Sequence, residues 1–537
     1  MGLHITKLST FYISVLRLYQ FKKKGIKMKK IVTLSTIAFL STAVFASAEA
    51  PVKSDADRLA DLEAKIAKLE KKQKKQQKKI SAVNKLANKD NLKFNVDFRT
   101  SYDNLNYQTA GGTNPMSGMQ QKSEYKNDAL YSLRLWLGMG YAPTDDMVFS
   151  ATLGVNKAFG ASYGQRATGM GFDTFDWITN EALSDEKVKL REAYWLWKPT
   201  LGGLPMTVSV GRRPATNGYL INLRDDDKAK SPMGHIINME FDGASISAKL
   251  DEYVSGMYVK LCLGRGLTNA ASWASQGTSY VNPMAQAANQ PNYTDVDGAL
   301  DNTDMIGLIF KPYDDGQYSV MTKYYRGIKV PGMKLTTNQP FLAPGTPNPG
   351  YDPTKPMALM KSLGDMDGAA ISVKMEGIGD EISDFLDETI IFASYAWSQT
   401  NPRSSNPADA MLGSTKKETG DSYWIGTQMP NLTGGKFGLE YNHGSKYWRP
   451  FTYGEDTMIG SKMAVRGNAY EAYWTQPIID NVFSMQVRYT YLDYDYTGSN
   501  GFFGDGGTPY KIGSMMANAM NAVETAQDIR VYFRYRY

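Results

Sequence analysis

Three histidines, one cysteine and one short charged run are the residues whose types invite a search for chemistry. His4 lies in a leader segment, and His235 and His443 stand far apart; with Cys262 they make no metal-ligand set. A hydrolase would need one of these histidines beside a nucleophile and an orienting acid. His443 sits in Asn442-His443-Gly444-Ser445, at a strand-to-loop junction, where a rim histidine without a catalytic task is expected. Arg224-Asp225-Asp226-Asp227-Lys228 is acidic at its centre but lacks calcium-ligand spacing. No glycine-rich phosphate loop lies between a strand and a helix. No enzyme, metal or cofactor is expected. What remains is charge set out by period. Asp528, Arg530, Tyr532, Arg534 and Arg536 alternate with Ile529, Val531, Phe533, Tyr535 and Tyr537. Arg99, Arg134 and Arg488 fall at equivalent polar positions elsewhere, as do Lys189 and Arg191 if both point the same way. A basic wall facing water guides ions; it makes and breaks no bonds.

Such a wall has to be built from strands, because a period of two gives an extended chain two different faces. Leu92, Phe94, Val96 and Phe98 alternate with Lys93, Asn95, Asp97 and Arg99. Tyr131, Leu133, Leu135, Leu137, Met139 and Tyr141 share a face opposite Ser132, Arg134, Gly138 and Gly140. At ~3.3 Å per residue and a tilt of ~40°, the stretch between those two tyrosines covers roughly 25 Å, the height of an outer-membrane apolar band. Similar stretches lie near 147–158, 187–198, 205–212, 242–250, 256–264, 303–311, 317–327, 367–377, 388–399, 421–428, 434–443, 466–476, 481–493 and 522–537. Short Gly-, Pro- and Asp-bearing turns alternate with eight longer connections of about twenty to forty residues. The expected fold is all-β: an antiparallel transmembrane barrel of about 16 strands spanning 92–537. In strand 187–198, Lys189 and Arg191 on the inside would put Glu192 toward lipid or a neighbouring subunit, unless a bulge intervenes.

The chain ahead of the barrel divides in two. Met28-Lys29-Lys30, the apolar run Ile31 to Phe45 and Ala46-Ser47-Ala48 compose a secretory signal peptide, so 1–48 is expected to be a leader, with its true start at Met28 or, alternatively, with a long basic n-region ahead of it. Its eight basic residues leave with it, and 52 basic residues then face 54 acidic ones. The high pI of the full sequence is therefore no evidence for nucleic acid, and no nucleic-acid partner is expected. Mean hydropathy is −0.40 and no segment downstream of the leader has eighteen consecutive apolar residues, which excludes a helical membrane protein. Over 49–91, Leu59, Leu62, Ile66, Leu69, Gln73, Gln76, Ile80 and Val83 follow the alternating three-and-four spacing of a heptad stripe. Lys65, Lys68, Lys71, Lys72, Lys74, Lys75, Lys78 and Lys79 crowd the outer positions. This is a short coiled coil, with a single solvated basic helix as the plainer reading.

The alternating stretch that ends on Tyr537 resembles the terminal strand of bacterial outer-membrane barrels, whose closing aromatic residues (here Phe533, Tyr535 and Tyr537) are read by the barrel assembly machinery. Gly444 to Pro450, Arg466 to Trp474 and Tyr494 to Gly504 look like a domain-of-unknown-function family of porin-like outer-membrane barrels. The helix ahead of the barrel is similar to the arrangement in some trimeric, substrate-specific porins. The resemblance implies a Gram-negative outer membrane, lipid around the barrel, a periplasmic coiled coil and a homotrimer. It also implies that the third long loop, with Arg224, Asp225, Asp226 and Asp227, folds inward to narrow the channel. The expected function is passive diffusion of small hydrophilic or charged solutes, with luminal arginines favouring anions. The alternative is an adhesin or envelope tether anchored by the barrel. The lysine-rich helix suits an anionic envelope polymer such as peptidoglycan.

Overall fold

The period-two stretches pair edge to edge into one antiparallel sheet that closes on itself. A computed structural model describes residues 92–537 except 114–119, 122, 162–182, 184–185, 214, 270–299, 344–345, 356, 380–381, 453–454, 500 and 502. The leader and the heptad region lie outside the described residues. The wall has sixteen strands. They are β1 (Lys93–Thr109), β2 (Glu124–Tyr141), β3 (Met147–Ala158), β4 (Lys189–Trp197), β5 (Leu204–Arg213), β6 (Phe241–Lys249), β7 (Tyr258–Leu267) and β8 (Thr303–Asp314). Then follow β9 (Tyr318–Leu335), β10 (Ala358–Glu376), β11 (Ile390–Pro402), β12 (Thr419–Pro430), β13 (Lys436–Gly444), β14 (Gly467–Ile479), β15 (Phe483–Tyr494) and β16 (Val523–Arg536). Each strand pairs with its sequence neighbours, and β1 pairs with β16 from Asp97↔Arg536 to Thr109↔Val523. Short connections such as 142–146, 315–317 and 480–482 sit at one end; the eight longer ones sit at the other.

The faces of the wall follow the alternation. Leu137, Leu263, Ile371, Ile425, Val487 and Ile529 point outward and are 39–50% exposed. Aromatic rings rim this apolar face. Near the long-loop end Tyr423, Tyr441, Tyr470 and Tyr491 stand on four successive strands, with successive centroids 5.9, 5.1 and 6.3 Å apart. Near the short-turn end Phe483 stacks on Phe533 at 5.9 Å. The apolar core lies inside, where Trp424, Phe392 and Tyr325 of the wall pack with Trp448, Phe451 and Ile236 of long loops. Inward rings lie over glycines of the neighbouring strand. A Cβ on Gly438 would meet the Tyr473 ring at 2.1 Å, and one on Gly368 the Tyr325 ring at 2.5 Å.

All sixteen expected strands are present, but several run further than expected. β1 continues to Thr109 and β2 begins at Glu124, still paired at Asn106↔Lys126 and Tyr107↔Tyr125. Past the apolar band the outward positions are polar, so the hydrophobic alternation stops while the backbone ladder continues. The first long loop therefore shortens to 110–123. In β4, Thr152 pairs with Glu192 and Leu153 with Leu190, so Arg191 is the extra residue of a bulge. Arg191 and Glu192 are consequently both buried. The bulge is the correct alternative; Glu192 faces neither lipid nor a neighbouring subunit.

Candidate functional site: a charged barrel interior

The inward positions of β1, β2, β15 and β16 place Arg99, Arg134, Arg488, Arg530 and Arg534 on one side of the interior, each at most 6% exposed. Buried cations need partners, and two long loops bring them. Loop 445–466 inserts Asp456, which accepts two hydrogen bonds from Arg99, both 2.5 Å. The Asp456 carbonyl accepts from Arg488 and from Arg530, each at 2.6 Å. Burial alone would raise the Asp456 carboxyl, but Arg99, Arg530 and Arg488 hold it well below the usual carboxylate range. Arg530 is also paired with Asp103. Arg134 reaches Asp97 at 3.3 Å and lies 3.7 Å over the Trp136 ring, which Arg191 also covers at 4.2 Å. Arg191 donates to Thr216 at 3.1 Å and faces Glu240 at 3.6 Å. Lys189 is half-buried opposite Gly154 in register.

Loop 214–240 crosses the interior from β5 to the far wall. Arg224 donates to Glu471 of β14 at 3.1 Å. Its backbone carbonyl accepts from Gln486 of β15 at 2.8 Å, and that of Leu223 accepts from Gln428 of β12 at 2.7 Å. Asp225 accepts from the Tyr532 hydroxyl at 3.2 Å. Burial opposes ionisation of Asp225, yet Arg224 and Arg534 lower its pKa overall. Asp227 pairs with Arg534 at 3.0 Å and Arg536 at 2.9 Å, and Asp226 pairs with Lys436. The four charged residues singled out in this loop thus all meet the wall.

His235 holds the root of the same loop. Ser422 donates to Asn442 at 3.0 Å, so its oxygen accepts from His235 Nε2–H at 2.9 Å. Ser372 donates to Ser394 at 2.8 Å, leaving Ser394 to donate to His235 Nδ1 at 2.7 Å. The ring is therefore neutral, with its proton on Nε2. Burial pushes its pKa down to about 3, against the opposing effect of Asn442. Among the described residues two serines hold this histidine, and through it they tether the root of the loop to the wall. His443 faces outward beside the Tyr423 ring at 5.1 Å and Asn468 at 3.1 Å.

Loop 445–466 was not legible as a site. Lys462 bridges Glu440 at 2.6 Å and Glu471 at 2.5 Å, and Trp448 donates to Met463 O at 2.7 Å. Glu455 accepts from Thr452 and Ser461, and burial pushes its carboxyl up to about 7 despite Ser461 and Lys462. The signal was available in composition. Tyr447-Trp448-Arg449-Pro450-Phe451 is too aromatic for a solvated loop.

In fold the chain is similar to OmpT, an outer membrane protein of Vibrio cholerae, in its in-vitro folded trimer form. Identity is 11%, 83% of this chain and 99% of that chain are covered, and the TM-score is 0.38. It is similar to OprB of Pseudomonas putida at 10% identity, 83% and 94% coverage and a TM-score of 0.38. It is also similar to an anion-selective porin from Comamonas acidovorans at 11% identity, 83% and 99% coverage and a TM-score of 0.38. No curated protein matches it in sequence. Residues 124–537, which include the three segments that carried the resemblance, match the family described as a protein of unknown function, DUF3373, and the chain belongs to that family.

Proposed function

We propose that the protein is an outer-membrane porin through which small hydrophilic or charged solutes diffuse passively. The observation that carries this is the closed sixteen-strand wall, apolar and aromatic-rimmed outside and charged inside. Such a wall suits a bilayer around it, and sixteen strands enclose more space than their own side chains fill. In this reading Arg99, Arg134, Lys189, Arg191, Arg488, Arg530 and Arg534 line the pore. Arg224, Asp225, Asp226 and Asp227 belong to a constriction, with loop 445–466 as its second half. Residues 49–91 stand in the periplasm as a trimerising coiled coil, and its lysines meet an anionic envelope polymer. Phe533, Tyr535 and Tyr537 present the assembly signal. The test is conductance of the purified protein in a planar bilayer. Discrete steps with a modest anion preference are expected; folded protein that gives no steps would sink the reading.

A second reading has its own support. The interior is heavily filled: Trp448, Arg449, Phe451 and Met463 are at most 1% exposed. A barrel closed by its loops would serve as the anchor of an adhesin or envelope tether. A heat-modifiable, correctly inserted barrel without conductance selects this reading.

A further inference from the structure

The wall formed by β5 to β9 carries cations of a different kind from the paired arginines opposite. Lys323 points inward from β9 and is 6% exposed, and no ion pair or hydrogen bond engages its ammonium among the described residues. Arg213 of β5 donates one Nη to Ser245 at 2.8 Å, while its buried Nε has no hydrogen-bond partner. Lys260 of β7 adds a third charge: it and Lys323 flank Ile309 in register. The carboxylate whose charge reaches Arg213 is Glu192, and Lys230 already engages it.

A cavity of about 70 Å³ opens between this wall and loop 214–240. Its floor is a row of small residues on adjacent strands, Ser245, Cys262 and Gly307. A Cβ on Gly307 would meet Lys323 Cε at 3.8 Å, so the lysine stem lies beside the gap that the glycine leaves. Lys323, Arg213, Ile237, Phe241 and Met305 all line the cavity, with Phe241 opposite Arg213 in register, so cationic and apolar side chains share it. On this measure a water needs ~10–15 Å³, so the space holds a few waters or one small solute.

We propose that this cavity binds a small monocarboxylate, its head between Lys323 and Arg213 and its short aliphatic tail against Ile237, Phe241 and Met305. The Lys323 ammonium and the unpartnered Nε of Arg213 gain most from an anion that arrives with hydrogen-bond acceptors. The apolar wall favours a carboxylate with a tail over a strongly hydrated inorganic anion. As the class of solute admitted, the assignment rests on the porin reading; as a binding site it is independent of conduction.

Cys262 is the single cysteine of the chain and lines the cavity, so it reports occupancy. The full chain in detergent is treated with methyl methanethiosulfonate, and modification is followed by mass with butyrate, chloride or phosphate at equal ionic strength. Butyrate is expected to slow modification several-fold and saturably, beyond either other anion. Lys323→Met should abolish that protection. Gly307→Val, which fills the cavity, should slow modification by itself and remove the butyrate effect; it serves if Lys323→Met fails to give a heat-modifiable barrel. No slowing by butyrate, equal slowing by all three anions, or protection that survives either substitution in a folded barrel overturns the site. Loss of conductance with protection intact overturns the porin reading alone.

Discussion

Asp456 is the residue on which most of the paired charge converges, with Arg99, Arg488 and Arg530 around it. Removing one partner of a buried pair costs ~3–5 kcal/mol, because the other charge stays behind. Asp456→Asn should lower thermal stability in detergent by about 3 kcal/mol or more. It should also free loop 445–466 and raise single-channel conductance. An unchanged melting point and unchanged steps would show that the arginines find other partners. His235 offers a pH test. Its pKa is about 3 folded and 6.5 unfolded, so the unfolded chain binds the proton first on acidification. The histidine's contribution is complete above pH 6.5 and declines as pH falls toward 3. Glu455 works in reverse: with a folded pKa of about 7 against 4.5, its contribution is present below 4.5 and lost as pH rises through 7. His235→Gln keeps a donor and an acceptor without the titration. Melting of wild type and variant should therefore diverge below pH 6.5 in the variant's favour; parallel curves would remove the histidine from the account. At this scale the sequence yielded the inward arginines, because alternation fixes side-chain direction. It did not yield their partners, because Asp456 reaches Arg99 from a loop in which no period operates.

Among the elements, the strands were the legible part, each resting on a period of two that separates an apolar outer face from a polar inner one. The bulge in β4 was half-legible: the conflict between Arg191 and Glu192 showed in the sequence, but register decided how it resolved. The courses of loops 214–240 and 445–466 were not legible, since they depend on contacts with strands distant in the chain. One of those contacts runs through an aromatic ring. The Tyr473 ring covers Gly438, while its hydroxyl accepts from Gln428, which also holds Leu223 of the inserted loop. Gly438→Val would push the ring aside, and overpacking of this kind costs ~1–3 kcal/mol. A lowered melting point and faster proteolysis within 214–240 are expected. Gly140→Ala, where an added Cβ meets nothing within 4 Å, is the control and should be neutral. Equal behaviour of the two variants would deny the ring its positioning role.

For the whole molecule, the proposal is that the heptads over 49–91 hold three barrels together. In that reading four heptads would make a rod about 40 Å long at ~1.5 Å per residue. Gln73 and Gln76 at successive core positions would cost stability and fix strand number and register. Deleting 49–91 behind the same leader should leave a conducting barrel whose trimer dissociates in milder detergent than the intact protein's. Cross-linking the intact protein should trap three subunits. A clean monomer with the heptads present would assign the helix to envelope contact.

The pairing of β1 with β16 has a consequence for how the molecule comes into being. Arg534 and Asp97 meet across a separation of 437 residues. Until that pair forms, every partial assembly carries two unpaired strand edges, and such edges recruit other chains. Contacts this distant in sequence are slow to find, although the entropy of closing the loop grows only with the logarithm of its length. Neighbouring strands can pair in the order of synthesis, but the wall cannot close until β16 exists. One edge of β1 has to wait for the last strand, and over that whole interval an apolar ribbon stands with its edges open.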